Sequence, residues 1–549
     1  MDFSSQDRCD RNVNGLAGTR QVLQRYTVDL HRITMASAAA SGIRQSVVQT
    51  VAAATISLSQ MRAGQFENLR RAIGNARVVC IGEETHGTEE FYEIRAQITK
   101  YLMEKEGFDM VICEGDFPAF YDLHRYVRGT PHSYRDVHGP GGKLAPPQRG
   151  ATNVREAMRR LRARYPVWMW YNMVMQDFVS WLKSFNENLD SAGEKQNSRP
   201  AVGIFGMDIY SMRDSAREVI SYLEQADPEL AMHARRHYEA LSNFGYEPQL
   251  YGRALLGDRV ESQKKQVVDT LMKLLEEGLR LSELTGDGEE FFGAAENARV
   301  VKDAEEYYRQ SFTDITSGDV TWNIRDTAMV NFIDHALAQY DKQMAKTSST
   351  KYRSRCVVWA HNSHLGDARS YVDASSRRRQ PAQINVGQLV RERYGMADSF
   401  LIGQLMHSGT VRASLHWDGK DYVMDVNPSL PSSYEQLFHQ VSVETADPGF
   451  GLILRSNSDG YVLSKEEEAA RNALEDPKLE RFIGVQYHQD TERYSHYMRC
   501  RMPAQFDAVI HLDDSSAIRK IPTSSPTHVR RRGTVDYSEP DDIDDDDET

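Results

Sequence analysis

The feature that most limits what this chain can fold into is a set of short apolar runs, each closed by ionisable residues and followed by helical periodicity. Four stand out, at residues 77–82, 109–114, 201–206 and 356–360. They are rich in Val and Ile and apolar at successive positions. Strands of that kind bury both faces, as parallel strands do, and the segments between them are long enough to carry crossover helices. The expected fold is therefore α/β: three layers, helix/sheet/helix, around a mainly parallel sheet.

After the first run, Thr88 stands where a helix cap is wanted, Glu89 and Glu90 fill the first turn, and Phe91, Ile94, Ile98, Tyr101 and Leu102 mark one face before Gly107. That pattern completes one strand–helix unit. Residues 211–346 carry helical patterns with few strand-like runs and read as an inserted helical subdomain. A further strand at 399–405 and a stretch at 481–512 return to the sheet. No repeat of fixed period is present, which argues against a solenoid. Residues 1–60 read as an N-terminal tail, 61–519 as the folded body, and 520–549 as a disordered acidic tail.

The formal charge of −13 would suggest a basic or membrane-seeking partner if distributed otherwise, but residues 536–549 alone hold nine acids and no Lys or Arg. The rest is nearly balanced, with no concentrated basic face for nucleic acid. No window of eighteen apolar residues predicts a membrane span. The five cysteines are odd in number and widely spaced, so neither a disulfide framework nor a Cys-x-x-Cys metal site is expected. A reducing, cytoplasmic setting fits. Several Arg and Ser residues between 11 and 44, with Asp29 as the one acid there, leave a mitochondrial presequence as the alternative.

Ligands of open α/β sheets sit beyond the carboxyl ends of the strands. Those ends read Glu83, Glu84 and His86 after the first run, Glu114 and Asp116 after the second, Asp208 after the third, and His361-Asn-Ser-His364 after the fourth. Convergence there would couple carboxylates and imidazoles and shift their proton affinities toward neutrality. His86 is the natural general base, and Glu83, three residues before it, is placed to hold the ring in one tautomer. Glu84, Asp116, Trp170 and Tyr171 are the candidates for contacting substrate, although an aromatic cluster such as Trp168, Trp170 and Tyr171 is more often core. The same inventory could hold Zn²⁺ or Mn²⁺, although no His-Glu-x-x-His is present. A serine nucleophile lacks its Gly-x-Ser-x-Gly elbow. A binding or regulatory protein that uses the cleft without turnover is the reading from a different class.

Five separated motifs, 82-GEETHGTEEFY-92, 114-EGD-116, 168-WMW-170, 322-WNIRD-326 and 359-WAHNSH-364, with 492-ERYSH-496 following, together resemble the erythromycin esterase family. The resemblance runs roughly from residue 71 to 512. It implies an EreA/ChaN-like α/β fold, a catalytic domain over 61–519, and hydrolysis of an ester or lactone of a small molecule without a cofactor. It places the family's essential histidine at His86, the partner carboxylate at Glu83, an arginine at Arg95, the second-strand acid at Glu114, and the late histidines at His361 and His364. In the mechanism it implies, His86 deprotonates water, Arg95 stabilises charge on the ester oxygen, Glu114 places water or base, and His361 or His364 protonates the departing alkoxide. The loops at 133–151 and 377–379 have no counterpart in the motifs and leave substrate identity open.

Overall fold

The computed structural model of the chain describes residues 44–522, apart from 65, 131–150, 192–199, 243, 245–248, 257–259, 285–287, 314–317, 346–351, 373–382 and 459. The segments 1–43 and 523–549, with nearly all of the 133–151 loop and the arginines at 377–379, lie outside the described residues. Among the described residues there are eleven strands: β1 Ile56–Ser57, β2 Val78–Glu83, β3 Met110–Asp116, β4 Gly203–Asp208, β5 Cys356–His361, β6 Ser399–Ser414, β7 Asp421–Val426, β8 Gly449–Ile453, β9 Lys478–Arg481, β10 Tyr497–Cys500 and β11 Ala508–Ser515. Nine of them form one sheet in the order β1-β8-β11-β6-β2-β5-β3-β4, with β7 paired to β6. The six strands from β11 to β4 are mutually parallel, with β4 at the sheet edge, and β1, β7 and β8 pair antiparallel.

Alternation along each strand explains the three layers. In β2, Val79 and Ile81 enter one apolar core while Val78 and Cys80 enter another on the opposite face. β3 divides the same way, Val111 and Cys113 against Met110 and Ile112. The first core is covered by the helices Glu89–Glu106 and Met173–Ser191, the second by Gly318–Ala345 and Tyr434–Thr445. The helix predicted after the first strand begins and ends as expected, with Gly107 in the left-handed region at φ 71°. Its cap differs: Thr88 is extended, but its hydroxyl turns to Thr85 at 2.7 Å instead of to the helix backbone.

Between β4 and β5 the described residues form helices alone, from Met212–Ala226 to Gly318–Ala345, and those spanning 212–308 gather a third apolar core of their own. Two expectations need correction. Residues 45–60 are not part of a tail: Val48 and Val51 of the helix Gln45–Ala52 are buried, and β1 pairs with β8. The stretch 481–512 is also not one return to the sheet, because β9 and β10 first pair off as a separate two-stranded ribbon before β11 enters beside β6. Short alternating runs on such edges carry little apolar signal. Substituting Leu401→Ala, fully buried in β6, should cost about 2–5 kcal/mol, read as a lowered unfolding midpoint in denaturant.

Candidate active site

The sheet topology decides which carboxyl ends meet. β5 lies between β2 and β3, so the ends of three strands far apart in sequence are neighbours, with Glu83 directly opposite His361 in the β2–β5 register. β4 continues beyond β3 and brings Asp208 to the same edge. Around this edge opens a cavity of about 500 Å³ lined by His86, Glu114, Asp116, Trp170, Asp208, Arg325, His361 and His364, with Tyr210, Trp322, Tyr371, Trp417, Phe482 and His496 among its walls.

His86 follows β2 on a turn that needs Gly87, since a side chain there would strike the carbonyl of Arg412. Its Nδ1 lies 2.9 Å from Glu83 Oε1. A carboxylate only accepts, so Nδ1 carries the proton and the Nε2 lone pair is left for the cavity. The other Glu83 oxygen meets Arg95 Nη1 at 2.7 Å. Arg95 is fully buried, caged by the rings of Tyr92, Trp170 and Trp359 with centroids 3.8, 5.2 and 4.9 Å away. It does not line the cavity. The arginine expected to meet substrate is therefore a support behind Glu83.

Glu114, at the end of β3, carries the next group. Its Oε1 sits 2.7 Å from Arg325 Nη2 and 3.4 Å from His364 Nε2, and its Oε2 accepts from the His361 amide at 3.0 Å. Burial would raise its proton affinity, but His364 and Arg325 hold it well below the usual carboxylate range. Arg325 grips Asp208 with two nitrogens, at 2.9 and 2.7 Å. His364 is backed by Asp326, both of whose oxygens lie 2.9 Å from Nδ1, and it stacks on Trp322 at 4.3 Å and 6°. Burial opposes its charge, yet Asp326 and then Glu114 push His364 up to about 9.

His361 is held in the opposite state. Its Nδ1 accepts from the Ser363 amide, so Nε2 carries the proton and donates toward the carbonyls of Glu84 at 2.9 Å and Ile483 at 3.2 Å. Burial, with His86 beside it, brings its proton affinity down to about 3. Of the two late histidines, only His364 has its proton affinity raised, by Asp326 and Glu114 and against the Arg325 guanidinium, whose Nη1 lies 2.9 Å from His364 Nε2.

Of the candidate substrate contacts, Asp116 lines the cavity, is paired with Arg164 at 2.8 Å, and is pushed up to about 6 by burial. Trp170 lines it too, with its indole N–H on the Glu114 carbonyl at 2.8 Å. Glu84 and Tyr171 do not line it. Glu84 is fully buried on the far side of the turn, accepting from the Met406 amide, and the Tyr171 ring lies under Arg162. Arg325 and Asp326 were missed as site residues although both lie in 322-WNIRD-326. Their spacing was the available signal: positions 322, 325 and 326 share one helix face, and two charges beside a Trp on an otherwise apolar helix need partners. Among the described residues, the His and Glu side chains at this cavity do not bring three ligand atoms within 4.8 Å of one another, as one metal ion would require.

The fold and the site together define an α/β protein with a cluster of imidazoles and carboxylates around a cavity at the carboxyl edge of its sheet. A family model described as erythromycin esterase matches residues 103–515, and the chain belongs to that family. The matched range includes Glu114, Arg325, His361 and His364 and begins after Glu83, His86 and Arg95. The chain is 23% identical over 316 residues to "Putative hydrolase YbfO" of Bacillus subtilis (strain 168), covering 54% of this chain and 58% of that protein. It is 31% identical over 64 residues to erythromycin esterase type II of Escherichia coli, 12% of this chain and 15% of that one. The alignments thus span well under two thirds of either relative. Among solved structures, a succinoglycan biosynthesis protein superposes with a TM-score of 0.60 at 18% identity, over 87% of this chain and 99% of the other. A mutant of the erythromycin esterase EreC in its open conformation superposes at 0.53 and 16% identity, over 82% and 94%. At these identities the likeness is one of fold.

The two buried histidines carry opposite linkage. His364 is raised above its unfolded value of about 6.5, so its protonation stabilises the fold fully below that pH and the contribution fades as pH rises toward about 9. His361 is depressed, so its contribution is present above about 6.5 and is lost as pH falls toward about 3. Histidine NMR should accordingly show His364 still protonated at pH 8 and His361 still neutral at pH 5. Asp326→Asn should bring the His364 midpoint down by a unit or more, and an unmoved midpoint would contradict the assigned cause.

Proposed function

We propose that the chain is a hydrolase that opens a carboxylic ester or lactone of a small organic molecule by direct attack of water. The observation that carries this reading is the pair of carboxylate-backed imidazoles, His86 on Glu83 and His364 on Asp326, both open to one cavity. One is set up to take a proton and the other to give one. Membership of the erythromycin esterase family and the hydrolase description of YbfO support the general class.

In this mechanism His86 removes a proton from water through Nε2 while Glu83 stabilises the imidazolium that forms. Arg325 and His364 face the carbonyl oxygen as negative charge develops. His364, whose proton affinity Asp326 and Glu114 raise to about 9, then delivers a proton to the departing alkoxide. Arg95 keeps Glu83 in place. Trp322, Trp417, Tyr371 and Phe482 supply apolar wall for a bulky substrate, and the volume is of the order that encloses a drug-sized ligand. Among the described residues no helix is long and apolar enough to cross a membrane, and Cys80, Cys113, Cys356 and Cys500 are free and buried. A cytoplasmic enzyme acting on a diffusible substrate is the setting we infer.

Initial rates on a panel of aryl esters, alkyl esters and macrocyclic lactones test the proposal. His86→Ala should lower kcat by about two orders of magnitude or more, and wild-type turnover preserved in that variant would overturn the assignment. Arg325→Met should cost about 10²–10³ in kcat. Arg95→Met should instead act through the uncompensated Glu83, destabilising the fold by about 3–5 kcal/mol. The rate should fall on the alkaline side as pH rises through about 9, where His364 loses its proton, and Asp326→Asn should shift that limb to lower pH.

A further inference from the structure

Away from the sheet, the helical layer holds a second grouping of ligand-type side chains that the proposed reaction does not use. His233 and His237 lie one turn apart on the helix Pro228–Ser242, and Asp269 faces them from the adjacent helix Lys264–Glu276. One ring nitrogen from each histidine and one carboxylate oxygen lie within 4.8 Å of one another. His233 Nε2 is 2.8 Å from Asp269 Oδ2, His237 Nδ1 is 3.8 Å from the same oxygen, and the ring centroids are 3.9 Å apart. Three ligands at about 2.0–2.2 Å from a tetrahedral ion sit about 3.3–3.6 Å apart, so these separations bracket what coordination needs.

We propose that His233, His237 and Asp269 form a divalent transition-metal site, of the Zn²⁺ type, that fastens these two helices together. Two imidazoles with one carboxylate favour Zn²⁺, Ni²⁺ or Cu²⁺ over Mg²⁺ or Ca²⁺, which prefer oxygen ligands. The i, i+4 spacing presents both imidazoles on one helix face. The side chains of His233, His237 and Asp269 are 18, 22 and 43% exposed, so an ion and a completing water can enter from solvent. His237 Nδ1 also lies 3.0 Å from the Gln266 carbonyl and 3.0 Å from Thr270 Oγ1, so an ion bound through Nδ1 displaces the proton donated there, and binding tightens as pH rises.

The competitor is Lys273. Its ammonium sits 3.5 Å from Asp269 Oδ2 and 3.4 Å from His233 Nδ1, where it balances the carboxylate. It is 43% exposed on a flexible stem, so an arriving dication can displace it into solvent at little cost. The helix Pro228–Ser242 packs on Met212–Ala226, the helix that follows Tyr210 in the cavity wall, so metal binding braces that wall.

Equilibrium dialysis of the full chain against Zn²⁺ alone tests the site, with melting followed by circular dichroism. One Zn²⁺ per chain should bind, raising the melting temperature. His237→Ala and Asp269→Asn should weaken binding at least tenfold and abolish the rise, whereas His86→Ala, which removes the cavity histidine, should leave both intact. Lys273→Ala should tighten binding severalfold. Absence of Zn²⁺ binding by the wild type overturns the proposal, as does Zn²⁺ lost in His86→Ala and retained in His237→Ala, which would move the ion to the cavity.

Discussion

Arg325 is the group through which the sheet, the helical layer and the cavity histidines hold one another in place. Its guanidinium takes Asp208 with a two-nitrogen fork, shares Nη2 with Glu114, and lies against His364. Each partner comes from a different element: β4, β3 and the turn after β5. In a cavity floor shielded from water, two carboxylates so close together would repel strongly unless a cation stood between them. Arg325 supplies that cation in a planar form that no ammonium could reproduce. The ends of three strands are thereby tied to one helix, and the fold can present charge to a substrate without the charges scattering into solvent.

Glu83 repeats the principle on the other side of the cavity. One oxygen orients His86 and the other neutralises Arg95, which is itself wrapped by three aromatic rings. A cation placed against π faces loses its freedom, so Glu83 has a fixed partner. The adjacent residue Glu84 shows how local the device is. It leaves the turn on the opposite side, toward Met406 and Arg481, where burial and the neighbouring Glu435 raise it well above the usual carboxylate range. Two consecutive glutamates thus hold contrasting roles, one in a site and one in a packed interior.

Much of this was legible before any coordinates. The strands β2, β3, β4 and β5 announce themselves because strands buried on both faces must be apolar at every position, and the residues after them stand out because charge so close to such runs demands a purpose. The edges were less readable. β7 is half exposed and β9 and β10 are only four residues long, so neither length nor apolar run distinguishes them from loops. The register that sets Glu83 opposite His361 is likewise absent from the one-dimensional pattern, since β5 enters between β2 and β3 only after the whole helical insertion.

What the amino-acid order determined by itself is the class of the fold, the identity of the strand-end residues and the family to which the chain belongs, because hydrophobic periodicity and short motifs are local properties. Tertiary structure alone decided which of those residues face the cavity and in what protonation state. Arg95 and Arg325 are the same side chain in the same protein, yet one is sealed behind Glu83 and the other borders the substrate space. His361 and His364 are three residues apart, yet burial and the neighbouring His86 lower the proton affinity of one while Asp326 and Glu114 raise that of the other. Desolvation and Coulomb coupling depend on distances between elements remote in sequence, and only the folded chain sets those distances.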